Sequence, residues 1–236
     1  MIPIGDNNIG RTRTPYINYI LIVINIAVFV YYQQWGGNQA FTMSFATVPA
    51  EILTGRDVVY EGNVGVTPMP VYFTFFSSMF MHGGIGHIAG NMIYLWVFGD
   101  NLENIMGHRR YLFFYLLTGI IASLSHVLLS AYLNKDLYVP SLGASGAISG
   151  VLGGYLLLFP TNKVKLLILL WVITVPAFLS LGLWIGWQLY LGWGSLSSIE
   201  SSGVAYAAHI GGFFAGLLLV KFFTKRKVVV PDARRY

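Results

Sequence analysis

Apolar residues in this chain gather into six long runs, at approximately 16–34, 85–106, 110–133, 143–159, 164–192 and 204–224, separated by short clusters of charged, glycine and proline residues. Roughly 20 apolar residues in helical form cross the hydrocarbon core of a bilayer. The pattern therefore predicts an all-α membrane protein, a bundle of six transmembrane helices. The fourth run is the shortest: "PSLG" at 140–143 precedes it and "PTNK" at 160–163 ends it. A helix of that length is expected to start inside the bilayer, where non-helical backbone is tolerated only against protein or a water-filled cavity. Residues 140–145 are thus expected at the bottom of a wet pocket. A long loop, about 35–84, separates the first two runs and is rich in aromatics ("VYFTFFSSMFMHGG"). Loops this long in compact domains are usually functional, and the aromatic part is expected in the membrane interface.

Charge orients the runs. Of the 14 Lys and Arg residues, all but Arg56 and Lys135 fall in segments on one side if the chain crosses six times. Basic residues concentrate on the cytoplasmic side, so both termini are expected there and the long first loop outside. The divisions expected are 1–15 as a cytoplasmic N-terminal segment, 16–224 as the six-helix core and 225–236 as a basic cytoplasmic tail. The composition agrees: 56% hydrophobic, 10% charged, mean hydropathy +0.65, against about 25% charged in a soluble domain. The net charge of +5 sits at the ends of apolar runs with no folded basic domain beside it, which marks topology and not a nucleic-acid site. The first run could be a signal peptide, but it is long for one, and bulky "YYQQW" stands where small cleavage-site residues belong. It is read as an uncleaved helix. The absence of cysteine excludes disulfides, thiolate catalysis and cysteine-based metal sites.

Polar residues inside membrane spans are costly and mark function by default. Here they are His87 and Asn91 on the second run, His126 on the third, Ser145 and Ser149 on the fourth, and His209 on the sixth, with His82 just before the second. At about 1.5 Å per helical residue, Ser145, His209 and the His87/Asn91 pair fall at nearby depths in the middle or outer half of the bilayer. A serine hydroxyl becomes a nucleophile beside a base such as imidazole, and an acyl-transfer intermediate needs donors aimed at its oxyanion. His87 and Asn91, four apart on one helical face, can donate, as can the free N–H groups that open a helix near Ser145. All nine carboxylates lie in loops, tails or the end of the second run. A serine hydrolase built from these residues runs on a dyad. The blander reading is packing: Gly146, Gly150 and Gly154, with Gly212 and Gly216, form small-residue faces that let membrane helices approach. Ser149 and His126 are assigned to packing. For Ser145 and His209 the two readings are compatible, since close helices four and six bring the pair within reach.

"HGGIGHIAGN" (82–91), "GASG" (143–146) and "AHIGGFFAG" (208–216), with "GNMIYLWVFGDNLENIMG" after the first of them, resemble the rhomboid family of intramembrane serine proteases over nearly the whole chain. The resemblance implies a rhomboid-like bundle with Ser145 as nucleophile and His209 as general base. It implies an oxyanion hole of His87, Asn91 and the Ser145 backbone N–H, and a structural or water-ordering role for His82. The implied substrates are transmembrane helices cleaved near their outer end, and the implied setting is a bacterial cytoplasmic membrane. Two features depart from the family pattern: Arg56 lacks the tryptophan that some members place beside it, and position 149, often aromatic, is serine. Tyr206, one turn from His209, is the candidate substitute.

No metal or cofactor is implied, and HExxH is absent. Partners are expected to be transmembrane substrates and lipid, with no nucleic acid. The alternative function is a non-catalytic rhomboid-like protein that binds client helices. A transporter would show repeated spans, and none is evident. Trp184, Trp187 and Tyr190 on the fifth run suggest a lateral gate or, equally, an aromatic belt.

Overall fold

The computed structural model describes residues 1–8, 10–58, 66–197 and 205–224. The chain opens with a short strand, β1 (Ile2–Asp6), then α1 (Tyr16–Ala27), which runs on as a π-helical turn to Tyr32. The long first loop holds short helices α2 (Gln39–Ser44), α3 (Pro49–Thr54) and α4 (Thr74–Ser77). Three long helices follow: α5 (Ile85–Met106), α6 (His108–Leu133) and the shorter α7 (Ser145–Leu158). Next come β2 (Lys163–Ile168), β3 (Trp171–Pro176), α8 (Ala177–Ser197) and α9 (Tyr206–Phe223). Residues 225–236, expected to form a basic tail, lie outside the described residues.

Two expectations need correction. The chain is not all-α, because β1, β2 and β3 form an antiparallel sheet in that order, with Ile2 opposite Leu167 and Lys163 opposite Pro176. The run at 164–192 is not one helix, because its first part is this hairpin. The reason is local. Exposed Lys163 and Lys165 alternate with buried Val164 and Leu166, the two-residue period of a strand. Val172, Ile173, Thr174 and Val175 are β-branched and favour extended backbone, and Pro176 cannot sit inside a helix. The N-terminal segment, for which no regular structure was expected, supplies the third strand.

The other long helices fall close to their expected bounds. Gly107, at φ 78°, reverses the chain between α5 and α6, a left-handed position that glycine takes without strain. α7 begins at Ser145 and gives way to Pro160, as its short apolar run indicated. It is the central helix, buried from Gly146 through Tyr155. Around it, Phe98 and Leu102 of α5 and Tyr111, Phe114 and Tyr115 of α6 fill the core. The outward faces are apolar as well: Val23, Phe113, Leu218 and Phe222 are all more than 60% exposed, which suits a lipid surround. Among the described residues, two helices, His108–Leu133 and Tyr206–Phe223, are by length and composition long and apolar enough to cross a membrane.

The N-terminal segment is stapled beneath the bundle by the polar end of α5. Glu103 accepts hydrogen bonds from the N–H groups of Ile17 and Asn18 at the start of α1, and Asn104 accepts from those of Thr12 and Arg13. Arg11 pairs with Asp100 at 2.8 Å. The Asp6 carboxylate accepts from Tyr155 of α7 and from Asn101 and Asn162. Its burial there lifts its pKa from the ordinary carboxylate range to about 7.

Candidate active site

Glycines allow α7 and α9 to touch backbone to backbone. A Cβ on Gly212 would sit 2.2 Å from the Gly146 carbonyl oxygen, one on Gly216 1.9 Å from that of Gly150, and one on Gly153 2.0 Å from that of Phe213. Any side chain at these points forces the helices apart. Gly154 continues the face of Gly146 and Gly150, with Phe114, Val220 and Leu102 about it. On its other side α7 meets α6, where Gly146 and Gly150 face Ala122 and Thr118.

This close approach sets the head of α7 beside α9. Ser145 is the first residue of α7, and its Oγ lies 2.8 Å from Nε2 of His209 on α9. The preceding loop is pinned: Ser141 exchanges backbone hydrogen bonds with Thr47, and the Gly143 N–H donates to the Ser78 carbonyl at 2.8 Å. Gly143 has φ 119°, so a side chain there is strained, and its Cβ would meet the His87 ring at 2.8 Å and Ser145 Oγ at 3.5 Å. His87 and Ser145 thus flank one point above the loop. The first N–H groups of α7 open there, unpaired as at any helix start.

His87 lies one turn into α5, and its Nδ1 accepts from the Gly83 N–H at 3.3 Å. In a neutral imidazole that leaves the proton on Nε2 as a donor, on the edge of the ring beside Gly143. Asn91, a turn further along α5, is buried and its amide Nδ2 has no protein partner. It does not line the small cavity of about 170 Å³ that contains Ser145, His209, His87, Ser141 and Gly143. His82 is fully buried beneath, its ring edge-on to His87 at 5.2 Å and both ring nitrogens unpartnered by protein. Gln33, at the end of the first helix, clamps it: the Gln33 side chain accepts from the His82 N–H and donates to the His82 carbonyl and to Thr42. Sequence reasoning passed over Gln33 as the tail of an apolar run, although a glutamine there was the available signal.

On the far side of His209 stand Gln188, which the sequence did not single out, and Trp184, which it offered for a gate or belt. Nδ1 of His209 lies 2.8 Å from Oε1 of Gln188 on α8, and the indole of Trp184, one turn earlier on α8, tilts against the His209 ring at 6.2 Å. The aromatic beside His209 is therefore Trp184, and Tyr206 packs against Gly192 instead. Ser149 donates to the Ser145 carbonyl at 2.6 Å and bonds within its own helix. His126 lines a larger neighbouring cavity of about 430 Å³ with Lys135, Asp136, Trp193 and Tyr206. Among the described residues, no three His, Cys, Asp or Glu side chains converge as a metal site.

A glycine-welded helical bundle that carries a serine hydroxyl on an imidazole at the head of its buried helix defines a class, helical proteins with a serine–histidine pair. The Rhomboid domain family matches residues 70–226. The chain is 30% identical over 219 residues to Rhomboid protein 1, mitochondrial, of Saccharomyces cerevisiae, covering 91% of this chain and 55% of that protein. It is 28% identical over 220 residues to Rhomboid protease GluP of Bacillus subtilis, covering 93% of this chain and 36% of that one. A match at 29% over 156 residues, 61% of this chain and 36% of the relative, is to the human presenilin-associated rhomboid-like protein, mitochondrial. The chain spans about half or less of the length of these relatives. It belongs to the rhomboid family, a family of membrane proteins that includes proteases such as GluP.

Proposed function

We propose that this chain is an intramembrane serine endopeptidase that cleaves transmembrane helices near their outer end through a Ser145–His209 dyad. The observation that carries the reading is the 2.8 Å hydrogen bond between Ser145 Oγ and His209 Nε2, with open donors around the serine. His209 takes the hydroxyl proton as Ser145 attacks the scissile carbonyl. The oxyanion that forms is met by the N–H of Ser145, Nε2–H of His87 and the unpaired amide of Asn91. His209 returns the proton to the leaving amine, and an acyl-enzyme remains on Ser145. Water entering past His87 is activated by the same imidazole and releases the second product. His82, whose ring nitrogens have no hydrogen-bond partner in the protein, orders that water.

The long helices serve as six spans with both termini on the cytoplasmic side and the helical first loop outside. The core runs over 16–224, with 1–15 and 225–236 cytoplasmic. The setting is a bacterial cytoplasmic membrane, a reading to which the Bacillus relative lends a bacterial source, while the yeast and human relatives are mitochondrial by name.

The test is cleavage of a tagged transmembrane substrate by purified protein in detergent, alongside labelling by a serine-reactive fluorophosphonate. Wild type should cleave and label. Ser145→Ala should do neither, with its fold intact by circular dichroism. Absence of labelling in the folded wild type would overturn the protease reading in favour of a client-binding membrane protein.

A further inference from the structure

Gln188 lies on the one face of α8 that meets α9. Trp184, Gln188 and Gly192 recur every four residues, which stacks them on one side of a helix. Trp184 packs on both His209 and Phe213, and a Cβ on Gly192 would lie 3.3 Å from Ile210 and from Tyr206. Ser180 and Ser195, also on α8, bond to carbonyls of their own helix. Gln188 reaches across to another helix, and its oxygen meets His209 Nδ1 at 2.8 Å.

That contact has a direction. A carboxamide oxygen only accepts, so the proton on the neutral ring resides at Nδ1 and the lone pair at Nε2, toward Ser145. With the opposite tautomer the ring would donate to Ser145 and could not take its proton. No carboxylate is needed for this purpose, because a neutral acceptor sets ring orientation and tautomer without placing a second charge in a low-dielectric site. We propose that Gln188 is the positioning residue of the dyad, holding His209 in the tautomer and orientation that make Ser145 nucleophilic. The proposal rests on the protease reading for its catalytic consequence, but the tautomer itself does not.

Two measurements separate these parts. In protein labelled with ¹⁵N at histidine, the His209 resonances, assigned by their loss in His209→Gln, should show Nδ1 protonated and Nε2 bare. In Gln188→Met, which keeps length but removes the acceptor, the two tautomers should mix. In parallel, Gln188→Met should lower kcat by about 10–100-fold, the usual cost of losing a partner that orients a reactive group, with KM unchanged. It should slow fluorophosphonate labelling of Ser145 by a similar factor. Gln188→Glu, which still accepts, should restore cleavage and the single tautomer. If Gln188→Met keeps the wild-type tautomer, kcat and labelling rate, Gln188 is interhelical adhesive only and the proposal is overturned. Wild type that holds the Nδ1-protonated form but neither cleaves nor labels would leave Gln188 as the orienting partner and remove the protease reading.

Discussion

The two ends of α7 carry comparable numbers of polar side chains and use them in opposite ways. At the Leu158 end, Asp6 receives hydrogen bonds from Tyr155, Asn101 and Asn162, and the last in turn bonds the Tyr155 hydroxyl and the Asn7 carbonyl. Nearby, Glu103 and Asn104 are occupied by the N–H groups of residues 12–18. At the Ser145 end, Asn91 and His82 keep buried polar atoms with no protein partner, and a cavity lined by His87, Ser145 and His209 opens at the helix start. Buried polar groups are normally satisfied. One end is a network in which most polar groups are paired within the protein, Asp100 Oδ1 and Arg13 Nε excepted, and it fixes where the strand and α5 sit relative to α7. The other is left open, and unsatisfied donors around a serine are what an incoming carbonyl would meet.

The comparison predicts that substitutions at the open end cost activity and little stability, with the reverse at the closed end. The largest effect belongs to the dyad: Ser145→Ala and His209→Ala should each lower kcat by at least ~10³-fold, with thermal unfolding in detergent close to wild type. His87→Ala and Asn91→Ala should follow at about 10²–10³-fold in kcat with KM little changed, the cost of one oxyanion donor. Steady-state kinetics on one peptide substrate would read both, and an Asn91 variant with wild-type kcat would remove Asn91 from the oxyanion site. Gly216→Ala joins the two ends, since its Cβ would press on the Gly150 carbonyl at 1.9 Å. Overpacking of this kind costs roughly 1–3 kcal/mol, so both melting temperature and cleavage should fall, and a variant that loses only one of them would show that the weld is less rigid than it looks.

The effect at Asp6 falls on stability alone, and it has a sign. Its folded-state pKa is raised to about 7 by burial, against about 3.9 in an unfolded chain. Below about pH 4 both states hold the proton and the contribution is present in full. Between about 4 and 7 the unfolded chain releases the proton first, so this part of the stability is lost progressively as pH rises, and it is gone above 7. Melting of wild type compared with Asp6→Asn at pH 5 and pH 8 should show wild type losing more stability than the variant over that interval. Equal slopes would mean that Asp6 is ionised in the folded protein.

Much of this was legible from residue order because it follows from local physics. Gly107 ends α5, Pro160 stops α7, and the glycine spacing of 146, 150, 212 and 216 announces a close helix pair. The hairpin was legible too, in the alternation of Lys163, Val164, Lys165 and Leu166. Judged over a window as long as a membrane span, however, it merges with α8 into one apolar run. Its partner β1 lies at the other end of the chain, and no local pattern names a partner 160-odd residues away. Gln188 and Gln33 were missed for a similar reason: each is a lone amide in an apolar stretch, and its meaning lies in what it faces.

The sequence by itself determined the class of chain, the helix boundaries set by glycine and proline, and the residue types able to perform acyl transfer, because these depend on composition, near-neighbour sterics and side-chain chemistry. Only the tertiary structure decided that His209 stands between Ser145 and Gln188, that Trp184 and not Tyr206 lies against its ring, and that the N-terminal segment is a strand. Those contacts join helices far apart in the chain, and their existence depends on distances of a few ångströms that no spacing along the chain encodes.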